Sequence, residues 1–464
     1  MARRKIIFFA IVTFIVVALV FGIISVINMQ KKNTISPEDL NIWITEGTSK
    51  NYEPLIEGFK QQFPEYKNIN IKFEKKAAGD PDRYRTFILS VLSDKTSPDI
   101  FMIPAGEDAI LENKIALLTE ENIDINAFEN SFDTVFRGLV VSSGSLVNPT
   151  KNLKGVPIGY ETLGVFYNSA LLRSGVPSTW IQVQNLYGKF PVDTFPTNLG
   201  LGPKFTPNAA NVLTAFLVQD NIKSYKEAAD GGRAIDNYAS YAKLQGSSQD
   251  QSDGGEDFYN TQTNLENTTS MLAKEKLTTF DQFLQGKIGM IIGYPSLITE
   301  LEKSAKRVGG STSANIIQTA PLPSQSTRNI TNNAKYSYFA IARTTNKPNI
   351  SLAFLQYLMS EDAQRILLRE FPYLLPAHKK FLETKKGTGL SSILKNAKID
   401  GFIPRPSENL VLFDYGVKSE FDAIIENGFA SNNESDINEI PDKITQKISC
   451  TINVQINQSD AKCE

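Results

Sequence analysis

The chain has 464 residues, 41% hydrophobic and 21% charged, with 48 Lys plus Arg against 50 Asp plus Glu and a net charge of -2. A single hydrophobic core stops growing at roughly 250–300 residues, so two lobes or domains are expected. The near-neutral charge excludes a broad nucleic-acid surface, which would need a basic excess, and leaves small neutral ligands open.

Arg3, Arg4 and Lys5 precede an uncharged apolar run from Ile6 to Ile27. About 20 such residues span a bilayer as a helix, and the basic cluster predicts a cytoplasmic tip over residues 1–5. The run exceeds a usual signal core, lacks a good small-x-small cleavage site and is followed by no nearby cysteine. A retained single-pass anchor is expected over 6–27, the alternative being a long cleaved signal. In both cases the body is extracytoplasmic. Residues 28–37, polar and closed by Pro37, read as a linker.

Strands and helices then alternate. Leu40 to Thr45 reads as a strand, and Pro54 to Phe63 as a helix ending before Pro64. Ile69, Ile71 and Phe73 have the period of a strand, Arg83 to Leu92 that of a helix. Asp99 to Ile103 is a buried-strand run closed by Pro104. This order predicts an α/β layer with a mainly parallel sheet. Lys154 to Asn168 reads as two strand segments and Asn208 to Gln219 as an amphipathic helix. Residues 245–257, with four acids and no base, read as a solvent loop whose spacing does not match a calcium loop. Phe280 to Gln285 is helical and Ile288 to Ile292 extended. Tyr338 to Ala342 is a strand, followed by helices at Asn349 to Met359, Glu361 to Arg369 and Leu412 to Ile425. No internal repeat is visible.

Chemistry-bearing motifs are sparse. His378 is the single histidine, so any histidine-based catalytic scheme must use it; a bracing place at a hinge suits it better. No G-x-S-x-G, H-E-x-x-H or P-loop pattern occurs. Cys450 and Cys463 flank an alternating segment, and an oxidising compartment permits a disulfide between them. One histidine and two distant cysteines argue against a zinc site, and no cofactor is expected. In an open α/β sheet, ligands sit beyond the carboxyl ends of strands. Here those places are Glu46-Gly47-Thr48-Ser49, where Thr48 or Ser49 can also cap a helix, and Pro104-Ala105-Gly106 with Asp108 beyond.

Four stretches in order carry a resemblance. They are Ser97-Pro98-Asp99-Ile100-Phe101, Gly155 through Asn168, Phe283 through Met290 with Gly293-Tyr294, and Tyr338 through Ala342 with Pro348, Ala353-Phe354-Leu355, Phe371-Pro372 and Leu375-Pro376-Ala377. Together they resemble the bacterial extracellular solute-binding family of the maltose-binding type, over about residues 40 to 430. The resemblance implies a two-lobed, periplasmic-binding-protein-like α/β fold of type II with a ligand cleft between the lobes. The first lobe would hold 38–157 and 318–374, the second 160–315 and 378–464.

It further implies a non-enzymatic, monomeric subunit of an ABC importer. Such a subunit captures a polar solute, a sugar above all, and docks on permease subunits. Carried over position by position, ligand contacts fall at Glu161, with Tyr160 either stacking on the sugar or bracing the crossing. Further contacts fall at Tyr294 (where the family commonly has Trp), Glu46, Asp108, Phe205 and Asn208, and Phe413 or Tyr415. No tryptophan follows Phe101-Met102-Ile103, which argues against a long maltodextrin. A membrane-anchored sensing module and a carboxylate-based glycoside hydrolase stay open as alternatives.

Overall fold

The computed structural model describes residues 39–76, 97–104, 111–144, 149–186, 279–308, 317–324 and 334–385, with isolated positions between and beyond them. In chain order these residues form β1 (Leu40–Ile44), α1 (Ser49–Gln62), β2 (Ile71–Lys75), β3 (Ile100–Pro104), β4 (Ile115–Ala116) and β5 (Leu118–Thr119). Next come α2 (Ile125–Ser131), β6 (Val140–Gly144), β7 (Pro149–Leu153), β8 (Val156–Thr162), β9 (Gly164–Asn168) and α3 (Trp180–Gln184). After the undescribed middle come α4 (Thr279–Leu284), β10 (Met290–Gly293), α5 (Ile298–Val308), β11 (Ile317–Pro321) and β12 (Ala334–Ala342). Three helices follow, α6 (Pro348–Leu358), α7 (Glu361–Glu370) and α8 (Lys379–Lys385).

The first sheet runs β2-β1-β3-β12-β4, with β8 also paired to β12. β1 is parallel to β2 and β3, while β12 is antiparallel to β3, β4 and β8. β8 therefore runs in the direction of β1 and β3, and the carboxyl ends of all three lie along one edge. β1 and β3 read as nearly continuous apolar runs because both faces are covered. α1 starts five residues before the expected helix, at Ser49 instead of Pro54. The cause is local: Thr48 caps it, and the Asn51 side chain accepts from the Thr48 N–H at 2.9 Å. Its buried Tyr52 stacks on Phe73 at 5.1 Å and meets Phe339 edge-on at 5.8 Å, which ties the helix to the sheet.

Asp99, of the Ser-Pro-Asp stretch, works at the opposite edge of this sheet. It is buried and accepts from Asn41 N–H at 2.9 Å and Thr345 Oγ1 at 2.7 Å, with Lys347 Nζ at 3.3 Å. One carboxylate thus joins the start of β1, the start of β3 and the turn from β12 into α6. A buried acid this fully partnered holds its lone pairs in bonds that would otherwise cost several kcal/mol to desolvate.

The second sheet is β10-β9-β11, antiparallel throughout, with α4 and α5 packed on it around Phe166, Phe283, Ile291 and Leu301. Trp180, on α3, is buried, stacks on Phe216 at 4.7 Å and donates to Gln219 Oε1 at 2.8 Å. A third small sheet, β5-β7-β6, flanks the first.

β8 stays in the first sheet through Thr162, and β9 opens the second at Gly164, so the chain passes between sheets at Leu163. This lies slightly beyond the expected 157–160. The return passage falls after Pro321, because β11 pairs with β9 over Ile317 to Pro321. A run of apolar residues does not encode which sheet its hydrogen bonds will join. α8 packs on the first body, not the second: Lys380 pairs with Glu361 and Phe381 lies under Arg365 at 5.7 Å. His378 just before it is buried, edge-on to Phe132 at 5.8 Å and bridged to it through the backbone. Burial holds its imidazole below the usual histidine range, in keeping with bracing.

No helix among the described residues is long and apolar enough to cross a membrane. The expected anchor at 6–27, the linker at 28–37 and the helices at Arg83–Leu92, Asn208–Gln219 and Leu412–Ile425 lie wholly or mostly outside the described residues.

Candidate functional site

The period-two geometry of β8 and β12 sorts their side chains to two faces. Tyr160 stands opposite Tyr336, and Glu161 opposite Lys335, in the antiparallel register. Tyr160 and Tyr336 both meet the Phe136 ring edge-on, at 5.7 and 4.9 Å, inside the first core. The Tyr160 backbone is bonded in both directions to Leu375, at 3.0 and 2.7 Å. Of the two uses expected of Tyr160, this packing fits bracing. Burial first, then Asp133, pushes its hydroxyl pKa up.

The other face carries Glu161, Lys335 and Ser337, at the edge where β1 and β3 end. Glu46, two residues past β1, joins them: its carboxylate accepts from the Ser337 hydroxyl, and its backbone carbonyl accepts from Tyr52 OH at 3.1 Å. Gly47 makes the sharp turn there at φ 65°, and a Cβ on it would lie 2.7 Å from the Phe371 ring. Only glycine takes that backbone shape cheaply and clears that ring.

The second sheet contributes the turn after β10. Ser296 N–H donates to Glu161 Oε1 at 2.7 Å, and the Tyr294 ring lies 5.2 Å from Lys335 Nζ. Lys335 Nζ is also 3.6 Å from Glu161 Oε2. Tyr373, beyond α7, completes the group; burial, then the charges of Glu46 and Glu161, raise its hydroxyl pKa while Lys335 opposes them. The site is thus two carboxylates, one ammonium, two phenols and a serine hydroxyl, contributed by both sheets.

Glu161 is buried at 3% exposure, and that desolvation lifts its pKa above the ordinary carboxylate value. Lys335 and the Ser296 N–H pull it back down, and the charge of Glu46 adds to the rise. The Lys335 ammonium is the open end of the group, its side chain 43% exposed. Carboxylates, an ammonium and flat phenol rings suit a ligand with many hydroxyls and apolar C–H faces. Among the described residues no acid, histidine or cysteine cluster of metal-binding type exists.

Of the residues expected from the sequence, Glu46, Glu161 and Tyr294 come together here, and Tyr160 does not. Asp108, Phe205, Asn208, Phe413, Tyr415, Cys450 and Cys463 lie outside the described residues. Sequence reading missed Lys335, Ser337, Ser296 and Tyr373. The first two were within reach: Lys335-Tyr336-Ser337-Tyr338 alternates polar and aromatic, which extends the expected strand four residues toward the amino terminus.

The fold matches solved binding proteins along almost their whole length. The sugar-binding protein MalE from Xanthomonas citri superposes with a TM-score of 0.61 at 15% identity, covering 91% of this chain and 100% of that one. The maltose-binding periplasmic protein MalE from Listeria monocytogenes, in complex with maltose, gives 0.57 at 16% identity, over 92% and 100%. An ABC transporter solute-binding protein from Agrobacterium vitis with bound D-mannitol gives 0.55 at 16%, over 90% and 99%. At such identities the likeness is one of fold, the two-lobed α/β architecture of periplasmic binding proteins. No curated protein matches at the level of sequence. The family model described as bacterial extracellular solute-binding protein matches residues 55–391. With its two sheets, its crossing at Leu163 and this match, the chain belongs to the bacterial extracellular solute-binding protein family.

Proposed function

We propose that the chain is the extracytoplasmic solute-capturing subunit of an ABC importer, and that its solute is a sugar or another polyhydroxylated molecule held between the two sheets. The observation that carries this is the convergence of Glu46, Glu161 and Lys335 from the first sheet with Tyr294 from the second. The maltose and mannitol complexes among the matched folds support a sugar or polyol. Capture needs no covalent step, and the family is one of binding proteins rather than enzymes. Closure of the lobes on the solute shifts a pre-existing equilibrium through contacts made only when closed. The closed protein then docks on permease subunits as a monomer. Asp108, Phe205, Asn208 and Phe413 or Tyr415 are proposed as further contacts, and Cys450 and Cys463 as a disulfide. Residues 6–27 are proposed to anchor the protein in the membrane, which raises its concentration beside the transporter.

A thermal-shift screen against mono- and oligosaccharides, polyols, amino acids and peptides tests the solute. A ligand at about 100 times its dissociation constant stabilises the fold by roughly 2.7 kcal/mol. A sugar or polyol shift that disappears in Tyr294→Ala is the expected result; no shift from any solute, in folded protein, sinks the reading. The anchor is checked by fractionation. Full-length chain should sediment with membranes and chain starting at residue 38 should not; equal partitioning of the two would remove the anchor.

A further inference from the structure

Lys335 sits where the two sheets meet, and its contacts are divided between them. In the β8–β12 ladder its Cα stands directly opposite that of Glu161, the cross-strand position at which opposite charges reinforce a sheet. Its Nζ is 3.6 Å from the Glu161 carboxylate, an ion-pair distance longer than a hydrogen bond, and 5.2 Å from the centre of the Tyr294 ring. The ammonium is thus shared between a first-sheet acid and a second-sheet aromatic. The Glu161 carboxylate in turn holds Ser296 N–H at 2.7 Å. Both arms end on the same three-residue turn, Tyr294 to Ser296.

The two groups also differ in access. Glu161 is 3% exposed, whereas the Lys335 side chain is 43% exposed. A solute entering the junction meets the ammonium before the acid behind it. Among the described residues, the charged and titratable groups facing the pair include Glu46 from the end of β1, Tyr373 from beyond α7 and Tyr294 from the turn after β10.

We propose that Lys335 is a positioning residue for solute capture: its ammonium holds the Glu161 carboxylate and the Tyr294 ring against one another, and so sets the register of the 294–296 turn on the first sheet. A carboxylate that is charged is a stronger acceptor for Ser296 N–H than a neutral acid, so an ammonium beside it tightens that bond as well. Arg in place of Lys keeps the charge, whereas Met keeps the length and loses it. The proposal builds on the assignment of this junction as the solute site, yet its test uses no solute, so either can fail without the other.

Full-length wild type, Lys335→Met and Lys335→Arg are compared by two readouts, with a melting curve to confirm that each is folded. Hydrogen exchange of peptides covering 290–298 reports the Ser296 bond. Carboxyl resonances of protein labelled in glutamate, assigned by their loss in Glu161→Gln, report the ionisation of Glu161. Lys335→Met should speed exchange of that segment by tenfold or more at neutral pH and move the Glu161 midpoint upward; Lys335→Arg should restore both. Lys151→Met, which breaks a surface pair with Glu129, is the control and should move neither. If Lys335→Met leaves both the exchange and the Glu161 midpoint at wild-type values, Lys335 positions nothing. If exchange rises while the midpoint stays fixed, or if Arg fails to restore it, the role is packing alone and the proposal is overturned. Should Lys335→Met fail to fold, Lys335→Gln is judged by the same two readouts.

Discussion

Glu161 illustrates how a single side chain carries opposing terms. Burial penalises its charge, while Lys335 and the Ser296 N–H favour it, and burial is the largest of these. The folded chain therefore holds the Glu161 proton more tightly than the unfolded chain. Its contribution to stability is present below about pH 4.5 and is lost as pH rises through the raised folded value. Glu161→Gln removes this dependence yet keeps an oxygen that can accept from Ser296. In melting curves taken upward from about pH 4.5, the melting temperature of the variant minus that of wild type should become more positive until pH passes the raised folded value, and then level off. Parallel curves would show that folding does not raise the Glu161 pKa. At Gly47, φ is 65° and the Phe371 ring stands 2.7 Å from any added Cβ. Gly47→Ala should cost about 1–3 kcal/mol from backbone strain and overpacking together, measured as a shift of the denaturant midpoint at unchanged slope.

At the scale of elements, the first sheet is organised by polar contacts at both edges. One edge is tied by Asp99 to β1, β12 and α6; the other carries the candidate site. Asp99→Ala should destabilise by about 3–5 kcal/mol, because it removes the carboxylate beside a partly buried Lys347, which keeps the Asp39 carbonyl, and leaves the Asn41 N–H without its acceptor. Asp99→Ala combined with Lys347→Met should cost clearly less than the sum of the two, since each single change removes the other group's ionic partner. Additive costs in denaturant unfolding would show that the pair is not coupled. Because this network lies at the edge remote from Glu46 and Glu161, the same variants should leave solute affinity unaltered where they stay folded.

For the whole molecule, the relevant coordinate is the approach of the two sheets across Leu163 and the return after Pro321. Among the described residues, Glu161 and Lys335 of the first sheet contact the 294–296 turn of the second. A solute that raises the melting temperature should also shrink the radius of gyration in solution scattering, and Tyr294→Ala should stay at the solute-free value. A stabilising solute with no change in radius would place it on one lobe and not between two.

The linear chain already specified the α/β order, β1, β3, α6 and α7 nearly to the residue, and Glu46, Glu161 and Tyr294 as site candidates. The elements and Glu46 depend on local periodicity, helix breakers and the rule that ligands gather where strands end, all of which neighbouring residues encode, whereas Glu161 and Tyr294 are what the resemblance to the solute-binding family implies. Tertiary structure alone decided that Tyr160 faces the core and Glu161 the candidate site, because β8 is buried along its whole length and its own pattern does not tell the two faces apart. It also decided that α8 packs on the first body, that the sheets change at Leu163, and that Lys335, Ser296 and Tyr373 join Glu161. Those three are separated from it by more than a hundred residues, and only the pairing of β8 with β12 and the placing of β10 beside them bring their charges and dipoles within interacting distance.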